Sequence, residues 1–161
     1  MSKQIRQKAD PILRQAASAV TAVLPSVKIS QIISTMRETL AAIPDGMALA
    51  APQIGVSLRL FIVSPKALGQ PPGGQTLVFI NPRIVKSSRR QVELVEGCLS
   101  VRQVYGRIKR PEKVTIQALD EQGRRFTRHT AGLLAQIVQH EIDHLDGVLF
   151  IDKAYDLTEV K

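Results

Sequence analysis

The chain has 161 residues, of which 44% are hydrophobic and 4% aromatic, and its formal net charge is +8 at pH 7. This size and hydrophobic content predict a single domain, residues 1–161, with a core of aliphatic side chains. No apolar run approaches the roughly 20 residues of a membrane span, and the N-terminus lacks the apolar segment of a secretory signal. Cys98 is the only cysteine, which excludes an intramolecular disulfide and favours a reducing, cytoplasmic setting.

The positive charge is concentrated in three groups of basic residues. Such a surface can contact an anionic partner such as RNA, or it can simply be solvated. The absence of interleaved aromatic side chains and of any nucleic-acid motif favours the solvated surface. Weak affinity for a large polyanion, such as the ribosome, fits either interpretation. The groups are Lys86, Arg89 and Arg90; Arg102, Arg107, Lys109 and Arg110; and Arg124, Arg125 and Arg128.

The first predicted elements are helical. Asp10-Pro11 indicates a turn that leads into a short helical piece. From Lys28 to Ala42, apolar residues recur at steps of three and four, which predicts an amphipathic helix with one buried face. Pro44-Asp45-Gly46 is expected to end this helix.

The segment Gly46–Gly55 is small and apolar, and Gln53 is its one polar side chain. It is either a tightly packed loop or strand, or a wall where a substrate backbone comes close. Composition alone does not separate these two interpretations. If the segment is buried, the Gln53 amide needs a hydrogen-bond partner.

Extended structure is predicted for five segments between residues 58 and 128. Apolar and β-branched residues dominate the first strands, and Asn81-Pro82 is expected to interrupt them. Later, Val114, Ile116 and Ala118 alternate with polar residues and predict a strand with one buried face. The candidate strands are Leu58–Val63, Leu77–Ile80, Ile84-Val85, Glu112–Leu119 and, as the second arm of a hairpin, Arg124–Arg128.

A final helix is predicted between Thr130, a candidate N-cap, and Gly147, a candidate stop. It contains His-Glu-x-x-His, whose histidines stand one above the other on a helix and can bind one divalent metal. Glu141 lies one residue along, where it can accept a proton from water. Two solvated histidines are the alternative. A buried ligand role is favoured because the histidines continue a core-facing stripe, namely Leu133, Ile137, His140 and His144.

Cys98 follows the apolar and acidic segment Val92–Glu96. A lone cysteine is usually a small buried hydrophobe, although a thiolate is also a good metal ligand. Its separation in sequence from the histidines does not show whether the residues meet in space.

Three segments together resemble the peptide deformylase family. The first differs from the family pattern Gly-x-Gly-Leu-Ala-Ala-x-Gln only at its second glycine, where this chain has Ala48, and the other two match in full. Asp10–Arg14 also resembles the usual opening of the family. The three segments, in the family's order and spacing, are Gly46–Gln53, Glu96–Ser100 and Gln139–His144.

The resemblance implies an α+β fold in which antiparallel strands surround a central helix carrying the His-Glu-x-x-His motif. It implies a hydrolase that removes the N-formyl group from the initiator methionine of newly synthesised proteins and releases formate. The implied metal ligands are Cys98, His140 and His144. Fe(II) is the metal that the family typically uses, and Zn(II), Ni(II) or Co(II) are possible substitutes.

The resemblance also implies roles for residues around the metal. Glu141 would accept the proton of the attacking water and pass it to the leaving amine. The Leu99 backbone N–H and the Gln53 amide would stabilise the oxyanion.

The implied binding partner is an N-formylmethionyl nascent peptide. Its backbone would add as a strand near Gly46, Met47 and Ala48. Its methionine side chain would enter an apolar pocket for which Met47 and Ile137 are candidates.

Two departures from the family pattern bear on substrate preference and rate. Ala48 adds a methyl group where the family has glycine, and Arg102 replaces a proline near the expected cleft. These departures leave open a catalytically weak or silent deformylase-like binding protein with altered substrate preference. A second alternative, a metallopeptidase, needs a third ligand after His144, where only Asp146, Asp152, Asp156 and Glu159 are available.

Overall fold

The computed structural model describes residues 1–161 and contains two antiparallel sheets and two α-helices, α1 (Val27–Ala41) and α2 (Gly132–Leu145). The first sheet has the strand order β1-β2-β3-β6-β7 and the second has β4-β5-β8. Short 3₁₀ helices span Pro11–Arg14, Ala51–Ile54, Lys66–Leu68 and Phe150–Asp152. The strands are β1 (Ala48–Ala50), β2 (Leu60–Val63), β3 (Leu77–Ser87), β4 (Gln91–Cys98), β5 (Val101–Pro111), β6 (Lys113–Leu119), β7 (Arg125–Ala131) and β8 (Tyr155–Glu159).

The predicted α+β class and the predicted first helix are confirmed. Helix α1 begins after Ser26, whose side chain accepts a hydrogen bond from the Ile29 N–H. Its apolar stripe packs on one face of the five-stranded sheet, against β2 side chains such as Leu60 and Ile62. Neither helix has the length and apolar run that crossing a membrane requires. The buried stripe residues are Ile29, Ile33, Met36 and Leu40.

Helix α2 packs against the opposite face of the same sheet. The predicted alternation in β6 is confirmed, because Val114, Ile116 and Ala118 are buried and belong to the core cluster that contains α2. The helix ends at Leu145, two residues before Gly147, whose φ of 77° is the left-handed conformation expected of a stop. The chain therefore surrounds α2 with strands and holds it rigidly.

The interruption predicted at Asn81-Pro82 is wrong, because β3 runs through it as one strand with a bulge. The register against β6 shifts between Ile80 and Arg83, and Asn81 adopts a φ of 49°. The Asn81 side chain accepts from the Val20 N–H (2.8 Å) and donates to the Val20 carbonyl (2.9 Å). The Asn81-Pro82 pair, which predicts the end of a strand, instead forms a β-bulge, and the bulge binds the N-terminal loop to the sheet.

Strands β5 and β8 are not predicted by the sequence pattern. In β5 the buried face is Gly106, Ile108 and Arg110, and a glycine and an arginine conceal the usual apolar alternation. Strand β8 is exposed along its whole length and has no apolar face. Both strands are therefore specified by pairing with neighbouring strands rather than by local pattern.

The N-cap predicted at Thr130 is also wrong. Thr130 lies in β7 and donates a hydrogen bond from its hydroxyl to the Val114 carbonyl on β6 (2.8 Å). The chain passes from β7 into α2 without a loop, and Gly132 makes the change of direction with a φ of 60°.

Candidate metal centre and cleft

The structure brings Cys98, His140 and His144 together. Each offers one donor atom, and the three atoms lie within 4.8 Å of one another. The Cys98 Sγ atom is 3.2 Å from the His144 Nε2 atom, and the two imidazole centroids are 5.0 Å apart. A thiolate with two imidazoles is a donor set suited to iron or zinc, and three protein ligands leave a position for water or substrate.

Local structure explains the convergence of the two segments. The histidines occupy successive turns of α2, so their rings lie on one face. Cys98 ends β4, immediately after Gly97. A Cβ atom at Gly97 would lie 2.7 Å from Tyr105 Cε1, so a larger residue there would displace the Tyr105 ring that packs over the end of β4. Glycine therefore allows the close approach that places the thiol beside the helix.

Glu96 fixes the orientation of His140. The His140 Nδ1 atom lies 2.8 Å from Glu96 Oε1. Burial raises the pKa of Glu96, but hydrogen bonds from Arg110 and His140 outweigh it and lower this pKa to about 2. The ionised carboxylate can only accept, so Nδ1 carries the hydrogen. Burial lowers the pKa of His140, but hydrogen bonds with Cys98 and Glu96 outweigh it and raise this pKa. Nε2 is therefore the ring atom that would bind a metal, and the metal would displace a proton from it.

Arg110 is the buried partner of Glu96. Its Nε and Nη2 atoms lie 2.5 and 2.8 Å from the two Glu96 oxygens, and its Nη1 donates to Asp143 (3.1 Å). The Arg110 side chain is only 4% exposed. The expectation that Arg110 belongs to a solvated basic surface is therefore wrong. The charge is neutralised internally, and it supports the helix that carries both histidines.

Glu141 and His144 each have one polar atom without a hydrogen-bond partner. Glu141 is buried, burial raises its pKa to about 7, and its Oε2 atom is unpartnered. The Nδ1 atom of His144 is likewise unpartnered, and burial lowers the pKa of this imidazole, which keeps it neutral. Neutral imidazole is the metal-binding form, so the three donors fit a divalent transition metal.

Gln53 is buried beside the thiol with a defined amide orientation. Its Oε1 atom accepts from the Ala50 N–H (2.9 Å), which leaves Nε2 facing Cys98 at 3.9 Å from Sγ. Nε2 also donates to the hydroxyl of Ser100, which is fully buried (3.0 Å). The Leu99 N–H in the same turn has no backbone partner, whereas the Leu99 carbonyl accepts from the Gln7 side chain. Gln53 Nε2 is therefore close to the thiol in space, and the Leu99 N–H follows Cys98 directly in the chain without a backbone partner.

We expect Ser100→Ala to reduce kcat several-fold with little loss of metal. The variant removes the acceptor that holds Gln53 Nε2 in place while both ligand segments remain, and a net hydrogen bond is worth about 1 kcal/mol, or roughly fivefold. Steady-state kinetics and metal analysis would test this. Ser100→Thr, which keeps a hydroxyl, is the matched control. Equal kcat values for Ser100→Ala and the parent chain would contradict the positioning role.

A cleft of about 460 Å³ opens beside these residues. Met47, Ala48 and Ile137, predicted to bind substrate, line it. Gly46 does not, because it is buried where a Cβ atom would lie 2.7 Å from Leu40 Cδ1. Gln53, Leu99 and Glu141 are also at the cleft, while His144 is buried behind it.

The stripe predicted to face the core is only partly buried: Ile137 and His144 are buried, and Ile137 belongs to the core cluster, whereas the N-terminal end of the stripe faces the cleft. Leu133 is 49% exposed and lines the cleft together with Ile137 and His140. Val95 and Tyr105 complete an apolar rim that the sequence patterns do not reveal. An apolar helical stripe indicates burial, but it does not distinguish a protein core from a ligand-binding wall.

The supporting residues Glu96, Arg110 and Ser100 are assigned no role by the motifs. The only indication in the sequence that they belong to the site is that Glu96 and Ser100 lie within two residues of Cys98. The N-terminal segment is also missed. The Arg6 N–H donates to the Gln53 carbonyl and the Lys8 N–H to the Ser100 carbonyl, each at 2.8 Å. Residues 6–8 therefore tie the two loops of the site together.

Comparison with known proteins gives a consistent result. The family model described as polypeptide deformylase matches residues 2–160. Peptide deformylase 2 of Clostridium acetobutylicum is 44% identical over 150 residues, which cover 93% of each chain. The crystal structure of peptide deformylase from Thermotoga maritima superposes with a TM-score of 0.86 at 32% identity, covering 96% of this chain and 99% of that one. A peptide deformylase from Legionella pneumophila gives 0.88 at 39% identity, covering 97% and 88%.

Proposed function

Because the chain belongs to the peptide deformylase family, we propose that Cys98, His140 and His144 hold its metal and that Glu141 carries the proton transfer. The chain is a metal-dependent hydrolase that acts on formylated nascent peptides. The observation that carries the residue assignment is the convergence of three donor atoms within 4.8 Å beside the buried Glu141. The proposal places this chemistry in one catalytic domain, residues 1–161.

Glu141 is suited to move a proton in both directions. A divalent metal held by the three ligands supplies Lewis-acid activation of water and of the formyl carbonyl. Glu141 Oε2, which has no protein partner, accepts the proton of the attacking water and delivers it to the leaving amine nitrogen. Burial places the Glu141 pKa at about 7, and a group with a pKa near the working pH can both accept and donate.

Leu99 and Gln53 stabilise the oxyanion in this proposal. The Leu99 N–H has no backbone hydrogen-bond partner. The Ala50 N–H bonds to the Gln53 Oε1 atom, so the Nε2 atom of the same amide is the one left facing the cleft. Fixed donors in a buried site stabilise developing negative charge without reorganising. Formate and a free methionine amino group are the products.

The peptide substrate lies along β1. This strand is the edge of the five-stranded sheet, so one of its sides carries unpaired backbone groups that an extended peptide can join. Met47 and Ile137 line the cleft next to this edge and receive the methionine side chain. Gly46 contributes by its backbone and not as a wall of the pocket.

Fe(II) is the metal we propose, with Zn(II), Ni(II) or Co(II) as substitutes. The donor set can bind each of these ions, and intrinsic affinity favours zinc over Fe(II). The metal that the protein binds therefore depends on which ions are available to it.

The metallopeptidase alternative lacks its third ligand. Asp146 pairs with Arg59 and Asp152 with Arg14, and no carboxylate joins the group of donor atoms. The silent binding protein is not supported either, because the family is enzymatic and all three ligands and Glu141 are present.

Formate release from formyl-Met-Ala, measured on anaerobically purified protein with Fe(II), tests the proposal, with acetyl-Met-Ala as the control substrate. Cys98→Ala is expected to lose most of its metal and to lower formate release by at least about 100-fold, beyond the usual effect of losing a residue that only orients a ligand. A variant that retained metal and activity would contradict the ligand assignment and would favour a carboxylate-ligated peptidase.

The proposal includes weak association with the ribosome. Exposed basic side chains occupy three adjacent strands, at Lys86 on β3, Lys113 on β6 and Arg125 on β7. Contacts of this kind weaken steeply with salt because they release counterions. We expect co-sedimentation with ribosomes at low salt that is lost at high salt and reduced by Lys86→Glu with Arg125→Glu. No co-sedimentation at low salt would remove this part of the proposal.

A further inference from the structure

A second recess adjoins the cleft. It has a volume of about 540 Å³ and shares Asp45, Cys98, Leu99 and Tyr105 with the cleft. Its other walls come from the N-terminal segment, the end of α1 and the start of β5. A peptide whose formyl group lies at Glu141 would therefore have the recess next to its residues after methionine. None of the residues proposed above to act on the formyl group uses this recess.

The recess carries two cations without partners. Arg102 and Lys3 line it, and both are exposed. Neither side chain makes an ion pair, whereas Arg107 and Arg110 on the same strand as Arg102 are both paired. The one acidic side chain in the recess, Asp45, is fully exposed and lies 3.8 Å from Lys66. The recess therefore has a net positive charge that nothing in the chain neutralises.

The backbone is shaped to present Arg102. The β4–β5 pairing passes from Glu96 opposite Gly106 to Cys98 opposite Val101, so residues 102–105 loop out of the ladder. Gln103 adopts a φ of 63°, and its carbonyl accepts from the Val160 N–H (2.7 Å). A non-glycine residue in this conformation is held there by its surroundings. Val160, the residue after β8, thus holds Gln103 in a bulge next to the exposed Arg102.

We propose that this recess selects formylated peptides with an acidic side chain at the first or second residue after methionine. The inference rests on the proposed function and names a preference within its substrate class. Arg102 supplies a planar guanidinium that matches a carboxylate, and Lys3, from the N-terminal segment that also lines the recess, adds a second positive charge. An acidic residue that enters the recess replaces water around two unpaired cations and leaves the reacting group untouched.

Amidated peptides test the preference without a terminal carboxylate. The substrates are formyl-Met-Ala-Glu-Ala-amide and formyl-Met-Ala-Gln-Ala-amide, together with the pair in which Glu or Gln directly follows methionine. We expect kcat/KM for Glu over Gln to be about three- to fivefold in at least one pair, the size of a solvent-accessible ion pair. The difference should lie in KM and shrink at high salt. Arg102→Ala should bring the ratio close to one, and Arg102→Glu should invert it.

Arg89→Ala is the matched control, because Arg89 is equally basic and exposed but lies outside both the cleft and the recess. It should leave the Glu-to-Gln ratio unchanged. Equal kcat/KM for Glu and Gln in both pairs, or a ratio that survives Arg102→Ala, would overturn the inference. Failure of the proposed function itself is distinguishable, since the Gln peptides would then release no formate.

Discussion

Glu141→Gln is expected to lower kcat for formate release by about 10³-fold, within the range for loss of a general acid–base group. The substitution keeps the shape of a side chain that is only 4% exposed, but an amide cannot accept the proton of attacking water. Because Glu141 is not one of the three donors, metal content should stay at the level of the parent chain. Steady-state kinetics and metal analysis on the same preparation would show this combination.

The control for this experiment is Leu133→Gln, which alters an exposed cleft-lining residue on the same helix that forms no hydrogen bond with Glu96, a donor atom or Glu141. It should change kcat far less than Glu141→Gln does. If Glu141→Gln or Glu141→Ala releases formate at the rate of the parent chain, the proton must travel through another group and the proposed mechanism is wrong. If the metal is lost together with activity, Glu141 acts on the structure of the site instead.

The three donor residues could be predicted from sequence because each lies in a short motif with fixed chemistry. Two histidines one helical turn apart are brought together by the helix itself, so their proximity does not depend on contacts between distant parts of the chain. Spacing in sequence alone does not decide whether Cys98 is a metal ligand, because no sequence pattern between β4 and α2 predicts that these two elements lie in contact. The resemblance supplied that link, and the structure places the thiol 3.2 Å from His144.

The residues that support the donors could not be predicted, for a physical reason. Arg110 lies among exposed basic neighbours in the sequence, and its burial depends on Glu96 and Asp143, which come from a different strand and a helix. The same long-range origin explains the missed strand β5, whose buried face includes an arginine. The periodicity of apolar residues predicts which face of a single helix or strand is buried. A charged side chain can be buried at low cost only when its oppositely charged partner from another element lies beside it.

We expect Arg110→Ala to lower the free energy of unfolding by about 3–5 kcal/mol, the usual cost of removing one partner from a buried ion pair. Glu96, which is 5% exposed beside Arg110, would keep only its hydrogen bonds with His140 and Gln136, and Asp143 would lose its contact with the Arg110 guanidinium. Urea unfolding of the metal-free protein measures this effect without the added stability that bound metal confers.

Arg107→Ala on the same strand is the matched control. Arg107 pairs with Glu93 at 3.0 Å, but these side chains are 57% and 43% exposed, so its loss should cost less than about 1 kcal/mol. Equal costs for the two variants would show that burial of the Arg110 pair contributes nothing. The double variant Glu96→Gln with Arg110→Met should recover part of the stability, because it leaves no uncompensated carboxylate at position 96.

The same double variant separates stability from metal binding. With an amide in place of the Glu96 carboxylate, the group 2.8 Å from His140 Nδ1 can present either an oxygen acceptor or an N–H donor, so either ring nitrogen can then carry the hydrogen. Metal affinity should fall by about 10- to 100-fold, as for other carboxylates that orient a histidine ligand, even where the fold is partly restored. A variant that regained stability and kept full metal affinity would show that Glu96 serves the fold and does not orient His140.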